Sequence, residues 1–250
     1  GLRAETNPLL FSSITSYIST PLRALPSVLR EGPEDSLLRL SASHPQRSSR
    51  QRLLRMLIHS AAAPATLARL YAIWRDRSEP LLNETDYTDL AYSLAVRLPD
   101  RSDSIVRTQR TRLTDPDRIR RFDFISRAMT PDTATLDALF RSLLIPENRR
   151  IEPWTSALLG WLNHPTRERH AVRYIRPALD ALRDVQRTGD IFFPRDWVGA
   201  LLRNHRSPEA YRALLDFIDA NPAYPSLLLN KVWQAAYPLY RANGEVKNEK

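Results

Sequence analysis

Five histidines, His44, His59, His164, His170 and His205, are the side chains best suited to hold a metal or move protons near neutral pH. No two of them stand four residues apart, and no H-E-x-x-H sequence occurs, so a helical zinc-hydrolase site is not expected in this chain. His59 and His205 fall near helix ends and read as surface or boundary residues. There is no cysteine, which excludes disulfides, thiolate zinc sites and a cysteine nucleophile. G-x-S-x-G, a phosphate loop and a dinucleotide fingerprint are also missing. Ser12-Ser13 and Ser48-Ser49 read as polar helix faces or loops. The acid pair Asp115 and Asp117 suits a helix start better than acid–base work.

Two segments could bind instead. Arg149-Arg150-Ile151-Glu152-Pro153-Trp154 puts two cations beside a tryptophan at a helix start. Thr188-Gly189-Asp190-Ile191-Phe192-Phe193-Pro194 puts two aromatics in a break between helices. Arg149, Arg150, Trp154, Phe192 and Phe193 are therefore candidates for an edge that grips a peptide or a partner domain. The structural alternative tucks Phe192, Phe193 and Trp197 into the core, with arginine stems covering them.

The elements that must position these segments read as helices throughout. Six glycines among 250 residues leave little material for hairpin turns, while 19 prolines can start and stop helices. Asn7-Pro8 opens the first helix, with Leu10, Ile14, Tyr17 and Ile18 expected inward. Pro21, Pro26 and Pro33 are expected to break the next stretch into short turns. Helices are then expected over 46–62, after Pro64 (Leu67, Leu70, Tyr71, Trp74) and after Asn83 (Tyr87, Leu90, Ala91, Leu94, Leu98). Asp115-Pro116-Asp117, Thr130-Pro131-Asp132 and Ser207-Pro208-Glu209 each offer a capping oxygen, a proline at the first helical position and an acid in the first turn. Further helices are expected over 154–162, over 167–187 with a kink or split at Pro177, after Pro194, and over 226–240. Thr188-Gly189 reads as a stop, and the polar tail 242–250 as frayed.

Helix pairs about every 30–40 residues suit an all-α, HEAT- or armadillo-like superhelix of stacked antiparallel pairs. Residues 1–51 are read as the first helices of the same domain and 52–241 as its main body. No apolar run approaches a membrane span. The net charge of +9 rests on 34 arginines against three lysines. It raises the question of nucleic acid, but Arg97–Arg127 holds nine arginines and five aspartates with no aromatic in its densest run, which suits a solvated helix face better.

Several stretches are similar to the C-terminal region of bacterial aminopeptidase N-like zinc peptidases. They are Glu84-Thr-Asp-Tyr-Thr-Asp-Leu-Ala, Asn148-Arg-Arg-Ile-Glu-Pro-Trp, Asn163-His-Pro-Thr-Arg, Val185-Gln-Arg-Thr-Gly-Asp-Ile-Phe-Phe-Pro and Lys231-Val-Trp-Gln-Ala-Ala-Tyr-Pro-Leu-Tyr-Arg. The likeness spans about Arg52 to Arg241, and its most specific part is Gln186–Pro194. It implies a non-catalytic helical domain, often an α-superhelix, that encloses the peptide chamber beside a zinc-bearing catalytic domain. That family's H-E-x-x-H and G-x-M-E-N elements are not in this chain, so no catalytic residue carries over. The resemblance thus places the zinc in an upstream domain of the same polypeptide, with peptides as substrates and the cell envelope or periplasm as the suspected compartment, the cytoplasm being the alternative. The other reading is a free-standing helical scaffold that binds protein or nucleic acid along its concave face.

Overall fold

In the computed structural model, which describes residues 1–244, every regular element is helical, and there is no strand among the described residues. The expected tail beyond Gly244 lies outside the described residues. Contacts group the chain into two units, Gly1–Arg112 and Leu113–Lys250.

The first unit holds α1 (Pro8–Ala24), α2 (Glu31–Ser43), α3 (Arg47–Ser60), α4 (Pro64–Asp76), α5 (Glu84–Arg97) and α6 (Ser102–Arg112). Residue 51 falls inside α3. The helices start where side-chain oxygens can take their first N–H groups. Asn7 Oδ1 accepts from Leu9 and Leu10, and Asn83 exchanges hydrogen bonds with Asp86 in a capping box. Glu34, fully buried, serves α4 from outside: its carboxylate accepts from the backbone of Ala62 (2.9 Å) and Ala63 (3.0 Å). The core of the unit forms around Leu53, Leu54, Leu57, Leu70, Trp74, Leu90 and Leu94. Trp74 sends its indole N–H to Gln109 Oε1 at 2.9 Å, which satisfies two buried polar groups at once.

Two expectations for this unit change. Pro21 does not break the chain; it sits inside α1 on the solvent side, where water can take the carbonyl that its missing N–H would have engaged. Pro33 lies in the first turn of α2, where no N–H is needed. The buried face of α1 is also rotated from the expected one. Phe11, Thr15 and Leu22 point inward, while Leu10 and Tyr17 are exposed.

The second unit holds α7 (Pro116–Ser126), α8 (Thr133–Leu143), α9 (Glu152–Leu162), α10 (Glu168–Ala171), α11 (Ile175–Asp180), α12 (Leu182–Thr188), α13 (Phe193–Leu202), α14 (Pro208–Asp219) and α15 (Ser226–Asn243). At its centre α13 packs against α9, α11, α12 and α15. Trp197, Val198, Leu201 and Leu202 of α13 lose all solvent contact. Each such side chain contributes about 1.5–3 kcal/mol of burial. The stretch 167–187 is split, as Pro177 predicts, into α10, a 3-10 turn, α11 and α12. Asp115 and Ser207 cap α7 and α14 as expected. At the third such start the cap moves two residues on. Asp132, with two oxygens to offer, accepts from Ala134 and Thr135, and Thr130 caps only the N–H of Asp132.

Helix C-termini are closed in an unusual way. No glycine has a positive φ among the described residues, and Arg77 is the one non-glycine that does. The last carbonyls are met instead by arginines from elsewhere in the sequence. Arg30 donates to Leu25 O (2.7 Å), Ser60 O (3.1 Å) and Arg23 O. Arg97 reaches His59 O (2.9 Å), and Arg112 reaches Trp74 O (2.9 Å) and Arg75 O (2.8 Å). Arg167 ties Ala128 O, Thr130 O (2.8 Å) and Trp161 O (3.4 Å) together.

Candidate functional site

The two candidate segments meet at one edge of the second unit. α8 ends at Leu143, and a 3-10 turn over Pro146–Arg149 leads into α9. Opposite it, α12 ends at Thr188, and Gly189 and Asp190 lead into α13. Arg149 joins them. Its side chain, 2% exposed, donates to Leu143 O (3.3 Å) and Leu144 O (3.0 Å), to Asp184, and to Thr188 Oγ1 (3.2 Å). Hydrogen bonds from Arg187 and Arg149 hold the Asp184 carboxyl below the ordinary carboxylate range.

A second link lies one turn further on. Glu152 Oε1 accepts from the Asp190 backbone at 2.8 Å, and Asp190 Oδ1 accepts from Phe192 (2.6 Å) and Phe193 (2.9 Å) to start α13. Gly189 stands between these bonds. A Cβ there would run into the Phe193 ring and would come within 2.9 Å of both Glu152 Oε1 and Val185 O. The glycine is needed for close approach, since its backbone is extended (φ −109°).

The five candidates therefore part company. Arg149 is a buried strut and presents no cation to a ligand. Phe193 is buried too, edge-on to Trp197 at 6.0 Å. Trp154 is half-buried against Phe124 of α7, with ring centroids 5.9 Å apart. Arg150 and Phe192 face solvent, and the guanidinium of Arg195 lies 5.7 Å from the Phe192 ring. Ile145, Ile151 and Ile191 are exposed on the same two loops, so the edge offers apolar side chains with Arg150 among them. Such a surface can cover another apolar surface. It carries no nucleophile–base pair.

Two polar networks escaped the sequence reading. Asp137 of α8 accepts from Tyr174 Oη at 2.7 Å and pairs with His170 Nε2 at 2.8 Å, with Arg173 at 3.4 Å. Tyr174 and His170 hold the Asp137 carboxyl down, while burial and that carboxylate push the Tyr174 phenol up. His205, expected near the surface, is fully buried and bonds Asn163 Oδ1 through Nε2 at 2.9 Å. Its Nδ1 faces Glu168 at 3.7 Å, although Glu168 lies in sequence four residues after His164. Partners 33–42 residues apart leave no spacing signal. Among the described residues no group of three His, Asp or Glu is placed to hold a metal. Both networks tie helices together, and His170, Arg173 and Glu168 also line one open pocket.

Compared with known protein families, with characterised proteins and with solved structures, the chain gives no match.

Proposed function

We propose that this chain is the non-catalytic C-terminal helical domain of an aminopeptidase N-like zinc peptidase, enclosing the peptide chamber beside a zinc site carried by an upstream domain. In this reading its helix pairs belong to a HEAT-like superhelix, and its partners are that domain and the peptides it admits. The observation that carries the proposal is the meeting of two of the similar stretches, Asn148–Trp154 and Val185–Pro194, the second containing the most specific part of the likeness. Arg149 and Glu152 of the first bond to Asp184, Thr188 and Asp190 around the second. Glycine at position 189 is required by that contact. That the similar stretches build one packed junction supports reading the similarity as an inherited framework. Exposed Leu9, Leu10 and Tyr17 on α1, and Ile191 and Phe192 beside α13, are apolar surface that a neighbouring domain would cover.

The rival scaffold reading draws on the +9 charge. Many of the arginines behind that charge are held on helix carbonyls and carboxylates, which takes them away from a nucleic-acid backbone.

Sequencing the native polypeptide upstream of Leu2 tests the proposal. G-x-M-E-N followed by H-E-x-x-H and a later glutamate is expected. The longer protein should then release amino-terminal residues from peptides in a zinc-dependent manner, and the 250-residue chain should cleave nothing. A start codon directly before this segment would refute the reading.

A further inference from the structure

Where α1 crosses α3, an open groove of about 500 Å³ faces solvent. Its lining includes Arg23 from α1 and Arg52, Arg55 and His59 from α3, with no carboxylate among the lining residues. Hydroxyls of Ser16, Ser19 and Ser48 stand along the same walls, over a floor that includes Phe11 and Met56.

The cations differ in how far they are engaged. Arg55 is held in a bidentate pair by Asp86 (2.6 and 3.0 Å), so its charge is already matched. Arg52 is steadied by Thr15 Oγ1 at 2.9 Å and Ser12 O at 3.4 Å, which leaves donors of its fork free to turn into the groove. The Arg23 guanidinium donates to no described residue, and the His59 ring takes no hydrogen bond within the unit. Arg30 and Arg97 stand behind them, bound to neutral carbonyls and, in Arg97, a serine hydroxyl. Carboxylates act on this group too: Glu34, whose oxygens are engaged on Ala62 and Ala63, faces Arg30 and Arg97, and Asp86 faces Arg55 and His59. Arg23, Arg30, Arg52, Arg55 and Arg97 against these carboxylates still leave positive charge in excess here. Burial and Arg30 hold the Arg23 guanidinium below its ordinary range, and the groove walls with Arg97 and Arg23 do the same to His59, whose outer edge meets water. An anion in the groove would relieve both.

We infer that the groove between α1 and α3 binds a phosphate group, carried either as the free ion or as a small phosphomonoester. Guanidinium donors of Arg23 and Arg52 along one groove suit a tetrahedral dianion with at least three terminal oxygens. A planar monoanionic carboxylate has two oxygens and half the charge for the same donors. The volume exceeds that of the ion itself, and Phe11 and Met56 give an organic substituent an apolar surface to lie on. The inference does not depend on the peptidase reading.

The test is calorimetric titration of the 250-residue chain with inorganic phosphate, phosphoserine and acetate at one ionic strength held with chloride. Saturable binding of phosphate or phosphoserine is expected, weakened about tenfold by Arg23→Ala through loss of one charge-assisted contact. Arg141→Ala, on exposed α8 surface, should bind as the parent does. Tighter binding of phosphoserine assigns an ester, and equal or weaker binding assigns the free ion. Arg52→Gln should weaken binding as well, but it also releases Thr15. Arg23→Ala gives up no hydrogen bond, so with an unchanged far-ultraviolet circular dichroism spectrum it reports on the ligand alone. The inference fails if acetate binds as tightly as phosphate, if phosphate shows no saturation below about 10 mM, or if Arg23→Ala binds like the parent.

Discussion

Replacing Arg149 by methionine separates a binding residue from a strut. Methionine keeps most of the length and apolar stem but removes the donors to Leu143 O, Leu144 O, Asp184 and Thr188. The two carbonyls close α8, and Asp184, 30% exposed, keeps only Arg187 as an ionic partner. Removing one member of a buried ion pair costs about 3–5 kcal/mol, and the water that reaches Asp184 places this case near 3. For a chain of this size that lowers Tm by about 6–12 °C. The assay is thermal unfolding of wild type, Arg149→Met, Asp184→Asn and the double variant, followed by circular dichroism at pH 7. Asp184 has a depressed folded pKa, so its part of the stabilisation is present above the unfolded carboxyl value and is lost as pH falls through the folded one. Asp184→Asn should therefore converge on wild type in acid, Arg149→Met should keep there the part of its cost that comes from the Leu143 and Leu144 carbonyls, and the double variant should cost less than the two single effects added. Arg150→Ala, with an exposed side chain, should shift Tm by no more than about 1–2 °C. The reasoning is refuted if Arg149→Met melts with wild type, or if Arg150→Ala is the more damaging change.

Four further sets of substitutions test other parts of the structure. Gly189→Ala should destabilise by about 1–3 kcal/mol in urea unfolding, because the new methyl meets Phe193 and the fixed carbonyl of Val185; a neutral result would remove the packing reason for that glycine. Burial would raise the Glu168 carboxyl, but bonds from His205 and the Arg206 and Ser207 backbones hold it at about 2, so its stabilisation is present above about pH 4.5 and lost as pH falls towards 2. Glu168→Gln should accordingly melt below wild type at pH 6 and alongside it at pH 2. Gln109→Leu strands the Trp74 indole N–H in the core and should cost about 1–3 kcal/mol by denaturant titration; a neutral result would remove the reason for a buried glutamine there. Arg→Lys at 30, 112 or 167 should cost about 1 kcal/mol or more each in thermal melts, and Arg69→Lys on exposed surface should cost nothing measurable.

Helix starts were legible in the sequence because their signals are local. A capping oxygen followed by a proline, an acid or both meets the orphan N–H groups without help from elsewhere, as at Asn7, Asn83, Asp115 and Ser207. The inward stripe of α1 was not legible, since Leu10 and Tyr17 share one face by spacing while the neighbouring helix happens to cover the side of Phe11 and Thr15. At the candidate edge, residue types alone singled out two segments that meet in space but not where each side chain lies. Nothing local distinguishes Arg149 from Arg150, yet one lies over the last carbonyls of α8 and the other over water. The groove between α1 and α3 was equally hidden, because Arg23 and His59 are brought together by packing across 36 residues.

The arginine excess over lysine then has a physical reason. A chain with six glycines and no left-handed glycine cap among the described residues must satisfy its helix-terminal carbonyls by other means. A guanidinium offers five donors in one plane, so Arg30, Arg112, Arg149 and Arg167 can each close two or more carbonyls, often on different helices. Burial among neutral carbonyls disfavours the charge and lowers Arg97 and Arg167 to about 10, still well above neutral pH. A lysine given the same loss from its ordinary value of about 10.4 would titrate near 8 and hold its proton only weakly. The same feature sets the sign of the surface that remains. Apart from Arg149, which also meets Asp184, these arginines donate to carbonyls, so no direct carboxylate partner cancels their charge. Where several closures crowd together, as Arg30 and Arg97 do behind Arg23, the uncancelled charge accumulates at the open groove beside α1 and α3. The device that ends the helices is thus also what gives the first unit its affinity for anions.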